Sequence, residues 1–344
     1  MKPPDKEQIQ DYLTRAQQAP RLTAMFNEFS QLATGKKGSP VTPVDLSPEL
    51  LQHDSACLEY AAARDAQAGV FNAHFIASLP FALEEQCRFG AAALAYLNLQ
   101  AKKHGRRSAI YTLGDASGVT SRTLAKLSPD AIRTLTCSPN PENEQAFHAA
   151  NPGSNADFSL GPFFDVNPEN LEKRGLTQHA EGFDLIVEDT TFQMYGPERL
   201  EPIYLAKRNL RDDGILVLVE KIMQTDHDEY ARREYQKDWD FKARFFDHQQ
   251  IEDKRKTIVN KMETQEVTLD ELVTVLKVFF DSAVVTWNTG NFYTVMASNS
   301  NENLEQLVGQ MIEPAIPPEF CYLPLPHQLF GDPANNFQFR PAAL

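Results

Sequence analysis

The stretch Ala109-Ile110-Tyr111-Thr112-Leu113-Gly114-Asp115-Ala116-Ser117-Gly118-Val119-Thr120-Ser121-Arg122 decides the fold. An apolar run stops at Gly114, small residues follow to Gly118, and a helix-compatible pattern emerges over 121–127. This is a strand, a tight turn and a helix start. Such a turn presents backbone N–H groups and the positive end of a helix dipole. Glycine there tolerates positive φ and the close approach of a ligand. A nucleotide-like ligand suits the turn; a glycine that only makes the turn is the competing explanation.

Downstream, short apolar runs alternate with helical segments at 109–113, 132–137, 156–160, 183–188 and 215–220. Buried parallel strands have this form, and the alternation implies an α/β sheet with right-handed crossovers. Two further strands are expected at 282–287 and 292–298, joined through Asn288-Thr289-Gly290-Asn291, a hairpin signal. Residues 228–262 mix charges with Tyr230, Tyr235, Trp239, Phe241, Phe245, Phe246 and Ile251, giving an amphipathic helical insertion. Upstream, 5–33 predicts two short helices interrupted at Pro20, with Ile9, Tyr12, Leu13, Leu22, Met25, Phe26, Phe29 and Leu32 at helical spacing. Segment 34–48 is a Gly, Pro and Ser-rich loop without Walker spacing, and 50–103 is helical throughout in pattern. A final helix is expected over 303–311, and the aromatic, Pro-rich tail 314–344 is expected to pack across the helical cap or a partner subunit. The division is therefore a helical cap at 1–104, a core at 105–300 with a helical insertion at 224–280, and a C-terminal segment at 301–344.

Composition narrows the function classes. The 344 residues include 22 Phe, enough for a substantial core. No apolar run reaches the roughly 18 residues of a membrane span, and the charged, Pro-containing start argues against a secretory signal. Cys57, Cys87, Cys137 and Cys321 are scattered without a CxxC, which implies reduced thiols in a cytoplasmic protein and no zinc site. A formal charge of -14 disfavours direct nucleic-acid binding. Asp226-His227-Asp228-Glu229 is a charged helix start more than a metal site, since adjacent residues do not share a helix face.

Residues 109–298 resemble a class I S-adenosylmethionine-dependent methyltransferase, and within that class the carboxy-S-adenosylmethionine synthase of the tRNA wobble-uridine pathway. The likeness is carried by 111–118, Gly161-Pro-Phe-Phe-Asp165, Glu188-Asp-Thr-Thr-Phe-Gln193 with Pro197-Glu-Arg199, Leu216-Val-Leu-Val-Glu-Lys221, the segment from Asp240 through Arg255 to Met262, and Asn291-Phe292. It implies a Rossmann-like sheet of seven strands in the order 3-2-1-4-5-7-6 below an N-terminal helical cap. It also implies S-adenosylmethionine or a carboxylated derivative as cofactor, a small-molecule substrate, and a homodimer that uses the helical insertion.

The resemblance assigns residues as well. Thr112, Gly114, Asp115 and Gly118 would meet the amino-acid end of the cofactor, and Phe164 and Asp165 would frame the adenine. Asp189 and Thr190 would face the sulfonium, and Arg255 would hold an extra carboxylate through its planar fork. Asp189, Tyr195 and Glu220 are the candidate catalytic residues, with a strand-end ion pair as the alternative for Glu220 beside Lys221. Two departures stand out. Thr112 replaces the usual acid before the turn, and Thr136-Cys137-Ser138-Pro139-Asn140-Pro141 lacks the acid that grips the ribose. Ser138 or Asn140 offers single hydrogen bonds there. Three explanations remain: Glu142 reaches back, the site takes a modified or differently posed cofactor, or catalysis has been lost and the chain is a binding or assembly subunit.

Overall fold

The computed structural model describes residues 1–18, 20–150 and 152–344. Side chains are described for these except at 18, 20–25, 258, 259, 261 and 262, so the expected core positions Leu22 and Met25 and the motif residue Met262 lie outside the described residues.

Helices α1 (Lys6–Gln18), α2 (Pro20–Ala33), α3 (Ser55–Asp65), α4 (Val70–Ile76) and α5 (Ala82–His104) open the chain. Segment 50–103 is thus not one continuous helical stretch. Turns break it at 66–69 and 77–81, the second around Pro80, which lacks an N–H and drives its predecessor out of helical geometry. Strands β1 (Ser108–Leu113), β2 (Ile132–Ser138), β3 (Ala156–Leu160), β4 (Phe183–Asp189) and β5 (Leu210–Met223) then alternate with α6 (Val119–Leu127), α7 (Pro141–Ala149), α8 (Pro168–Lys173) and α9 (Leu200–Lys207). After β5 come α10 (His227–Tyr235), a π-helical turn (Gln236–Phe241), α11 (His248–Lys254), a second π-helical turn (Arg255–Val259) and α12 (Asn260–Glu263). The chain ends with β6 (Val267–Thr268), α13 (Leu269–Phe279), β7 (Ser282–Thr289), β8 (Phe292–Ser298), α14 (Asn301–Val308) and β9 (His327–Phe330).

The sheet runs β3-β2-β1-β4-β5-β8-β7-β9, with β6 paired to β5. Strands β1 to β5 are parallel, and β8 is antiparallel to both β5 and β7. The expected seven-stranded count is corrected to nine among the described residues. Leaving out the two-residue β6 and the edge strand β9, the remaining path is 3-2-1-4-5-7-6 when renumbered. Strand β9 comes from the tail, which covers the open edge of β7; an unpaired edge is a pairing hazard that proteins commonly cover.

Alternation along the strands divides the core. Ala109, Tyr111 and Leu113 face α1, α9 and α13, while Ile110, Leu185, Val217 and Met296 face α3, α5 and α14. A fully buried Leu, Ile or Phe contributes about 1.5–3 kcal/mol, so these two layers dominate the folding free energy. Helix α5, N-terminal to the sheet in sequence, lies inside the second layer through Cys87, Tyr96 and Leu97. The tail closes over that layer. Phe337 and Phe339 pack on it, and Arg340 grips Asp54 through two hydrogen bonds of 2.6 and 2.9 Å. No helix among the described residues is long and apolar enough to cross a membrane.

Candidate cofactor and acceptor cavities

Parallel strands β1, β2 and β4 end at one edge of the sheet, and the loops that leave them meet the inner faces of α2 and α4. Three adjoining spaces result. The first, about 630 Å³, is bounded by Phe26, Phe29, Cys137, Ser138, Asn140, Asn143, Phe163 and Tyr195. The second, about 820 Å³, is bounded by Phe29, Phe75, His74, Thr190, Gln193 and four lysines, Lys221, Lys237, Lys242 and Lys254. The third, about 280 Å³, is bounded by Asn72, Gln86, Asp115, Ala116, Ser117 and Asp189. Gly114 and Phe71 line all three.

Gly114 sits at the hub because nothing larger fits. Its φ is +92°, and a Cβ there would lie 2.2 Å from the Asp189 carbonyl oxygen and 2.5 Å from Thr191 Oγ1. Two non-glycine residues on the cavity walls also hold positive φ, Ala116 at +43° and Thr190 at +50°. Such a backbone costs an L-residue roughly 1–2 kcal/mol, and strain of this kind gathers at ligand sites. Gly118 is different. A Cβ on it would meet Phe147 and Thr136 side chains at 2.9 Å, so this glycine lets α6 pack on β2 and α7 and lines none of the three spaces.

The acids at the strand ends are poor in counter-charges. Asp115 Oδ2 accepts from the Ser121 N–H at 3.2 Å, and burial pushes its carboxyl up to about 6. Asp189 Oδ1 is buried without a partner. Burial, with the neighbouring Asp115 charge, pushes Asp189 up to about 8. Above them, Arg64 donates to Asn72 Oδ1 at 2.6 Å and to Gln86 Oε1. That commits both oxygens and leaves Gln86 Nε2 as a donor toward the third space.

The other expected site residues divide into those at the cavities and those behind them. Ser138 lines the first space, with its Oγ accepting from the Asn140 N–H at 3.2 Å and Asn143 Nδ2 at 2.9 Å. Tyr195 lines it too, edge-on to Phe163 at 5.3 Å between ring centroids. Thr112 is internal, 2.7 Å from Ser121 Oγ and 3.1 Å from Thr136 Oγ1. Phe164 is turned into the core beneath Tyr195, and Phe163 takes the wall position expected of it. Asp165 is half-exposed, 4.0 Å from Arg174. Glu220 is fully buried in an ion pair with Arg199 at 2.7 Å and lines no cavity; the strand-end pair is formed with Arg199, not with Lys221. Arg255 points to Asp238 at 3.3 Å and lies outside the second space, whose wall is formed instead by its neighbour Lys254. Glu142 does not reach back to the strand end: a hydrogen bond from Ser30 on α2 holds its carboxyl below the usual range. Asp226 caps α10 through the N–H groups of Asp228 and Glu229. Sequence reasoning missed Asn72, Gln86, Phe163, Gln193, Lys237, Lys242 and Lys254, and weighed Lys221, with Glu220, between a strand-end pair and substrate contact. Only the FF pair at 163–164 carried any signal, and period alone does not say which ring faces out.

No protein-family model matches the sequence, and no curated protein does. Among solved structures, the chain is similar to the plantazolicin methyltransferase BpumL in complex with SAH, at 11% identity over 73% of this chain and 98% of that one, TM-score 0.43. The same enzyme with a triazolic desmethylPZN analog and SAH gives 14% identity, 74% and 100% coverage and a TM-score of 0.43. A SAM-dependent methyltransferase from Thiobacillus denitrificans with S-adenosyl-L-homocysteine gives 15% identity, 57% and 66% coverage and a TM-score of 0.34. At these values the likeness assigns no activity or substrate to this chain, and the functional reading rests on strand order and the cavities.

Proposed function

We propose that this protein is a methyltransferase that binds S-adenosylmethionine and acts on a small-molecule acceptor. The observation that carries this reading is the meeting of three spaces at Gly114, over the ends of β1, β2 and β4. Phe163 and Tyr195 offer an aromatic wall for adenine, and Ser138, Asn140 and Asn143 offer neutral polar groups beside it. In the third space Asp115 and Asp189 suit a cation, and Gln86 suits a carboxylate. Unpartnered buried oxygens at Asp189 and Asn143 fit such a ligand. When bound there, the sulfonium supplies an electrophilic methyl group. The chain's own contribution is positioning: Gly114 admits close approach, the Asp189 carboxyl would give up its proton to face a bound positive charge, and Phe29, Phe71 and Met194 wall the passage between the first and second spaces. The absence of a ribose-binding acid removes a charge-assisted hydrogen bond worth about 1.5–3 kcal/mol, so the affinity expected is micromolar.

Calorimetric titration with S-adenosylmethionine and S-adenosylhomocysteine tests the reading. Both are expected to bind, and Asp189→Asn is expected to weaken the sulfonium form more than the neutral thioether. Absence of binding by either overturns the reading in favour of a binding or assembly subunit. A cofactor bearing an extra carboxylate is the second reading, favoured by the lysines beside Gly114. Mass spectrometry of the ligand that co-purifies separates the two. A homodimer through residues 224–280, and the division at 104 and 300, are parts of the same proposal, and light scattering tests the dimer.

A further inference from the structure

The second space has a mixed wall. Phe29, Leu32, Phe71, Phe75, Leu79 and Phe292 make it apolar and four lysines make it cationic; among the described residues no carboxylate lines it. The lysines are not equivalent. Lys221 lies 3.1 Å from Glu234 and 2.8 Å from Glu266. Lys237 lies 2.7 Å from Asp238 and 3.1 Å from Glu234, and Lys242 lies 2.7 Å from Asp238. Each is anchored by an acid behind the wall. Lys254 has no such partner among the described residues. On its far side it borders Glu28 and Asp253, but Glu28 is paired with Lys37 and Asp253 accepts from Gln249.

Lys254 is held instead by two neutral acceptors whose roles are fixed. His74 Nδ1 lies 2.6 Å from the Gly38 carbonyl, which only accepts, so Nδ1 carries the hydrogen and Nε2 is left to accept from Lys254 Nζ at 2.8 Å. Ser78 spends its hydrogen on the His74 carbonyl at 2.7 Å, so its oxygen also accepts from Lys254. An ammonium has three hydrogens. Two are used, and the third belongs to a side chain on the cavity wall. A second group lining the same cavity wants a partner: Gln193 is fully buried, and neither its Oε1 nor its Nε2 has one among the described residues. Crowding shows in the charges as well. Burial, with Lys242 and Lys237 nearby, holds Lys254 well below the ordinary lysine range, so its ammonium form is the one an arriving anion would favour.

We propose that the methyl acceptor is an organic anion, a carboxylate on an apolar body, with its charge on Lys254 and its body against the phenylalanines. This rests on the methyl-transfer reading and names the substrate class of that site. The Lys254 ammonium and the Gln193 amide supply the donors for the carboxylate. Burial makes such a pair strong, because water does not compete for the donors. A neutral acceptor of the same shape would leave Lys254 and Gln193 unsatisfied.

The experiment is calorimetric titration of benzoate, and of its neutral isostere benzamide, into the full chain saturated with S-adenosylhomocysteine. Benzoate is expected to bind at least tenfold more tightly than benzamide. Lys254→Met is expected to abolish that preference while leaving the S-adenosylhomocysteine affinity within twofold, and Lys254→Arg, which keeps the charge, is expected to retain part of it. Circular dichroism checks that each variant folds. Equal affinity for benzoate and benzamide, a preference that survives Lys254→Met in a folded protein, or competition between benzoate and S-adenosylhomocysteine overturns the proposal. Failure of S-adenosylhomocysteine to bind overturns the methyl-transfer reading separately. The benzoate preference is then read on the protein without it and decides the anion site alone.

Discussion

The two large cavities that meet at Gly114 are built in opposite ways. The one toward Ser138 and Phe163 sets strand-end turns against aromatic rings, Phe26 and Phe29 of α2 and Phe71 of α4 among them, and its polar groups are small and neutral. The one toward Lys254 is assembled from α2, α4, β5, the first π-helical turn, the segment after it and α11, and its polar groups are long, charged and paired across elements. The first kind of site depends on chain geometry, so a single backbone change breaks it. The second depends on charge balance, so different lysines in one wall have different consequences.

The largest effect should come from Lys221→Met. It leaves the buried Glu266 without a cation, while Glu234 keeps Lys237, and breaking a buried pair in this way costs about 3–5 kcal/mol. Urea denaturation reads the loss. Lys254→Met should cost less, because no carboxylate is orphaned: the His74 and Ser78 acceptors lose their donor, a loss of about 1–3 kcal/mol. If both variants lose the same stability, the division of the lysines into structural and available is wrong.

Gly114→Ala comes next. The left-handed backbone costs an alanine about 1–2 kcal/mol, and a methyl forced against the Asp189 carbonyl adds about 1–3 kcal/mol. Because Gly114 borders all three adjoining spaces, S-adenosylhomocysteine and benzoate binding should both be lost; retention of either would show that the hub is not shared.

A smaller, pH-dependent effect belongs to Asp189. Its folded value of about 8 lies above the ordinary carboxylate range, so between about pH 4 and 8 the native state holds a proton that the unfolded chain releases. Stability from this group is present at low pH and falls as pH rises through 8, and Asp115, raised to about 6, acts in the same direction over a lower window. Asp189→Asn should flatten the decline of Tm between pH 5 and 8 and raise Tm at pH 8. A steeper decline would refute the sign. The smallest effect is expected from Glu142→Gln, which loses a contact to Ser30 and should leave S-adenosylhomocysteine affinity within twofold by calorimetry.

How much was legible divides along the same line. The strands at 156–160 and 292–298 were readable to the residue and β1, β2, β4 and β7 to within two, because each is a short, largely apolar run; β5 extends well beyond the expected 215–220, and β6 and β9 carried no such run. Gly114 was readable because a turn between strand and helix needs a residue without a Cβ. Gly118 was readable as a glycine but not in its role, since Phe147, the side chain it accommodates, lies on another helix. Phe163 and Phe164 were distinguishable only once Tyr195 had taken its place against them. Arg255 and Lys254 are neighbours in sequence, and the twist of the surrounding helix decides which faces the cavity.

By itself the sequence determined the alternation of strand and helix, the closing hairpin at 282–298 and the turn at the first strand, because each is a local consequence of side-chain period and backbone freedom. Tertiary structure alone decided which acids are buried beside the turn, that α5 belongs to the sheet's own core, and that four lysines from separated segments line one cavity. Those facts arise from long-range packing, and the energy of a buried charge is set by neighbours that sequence order does not reveal.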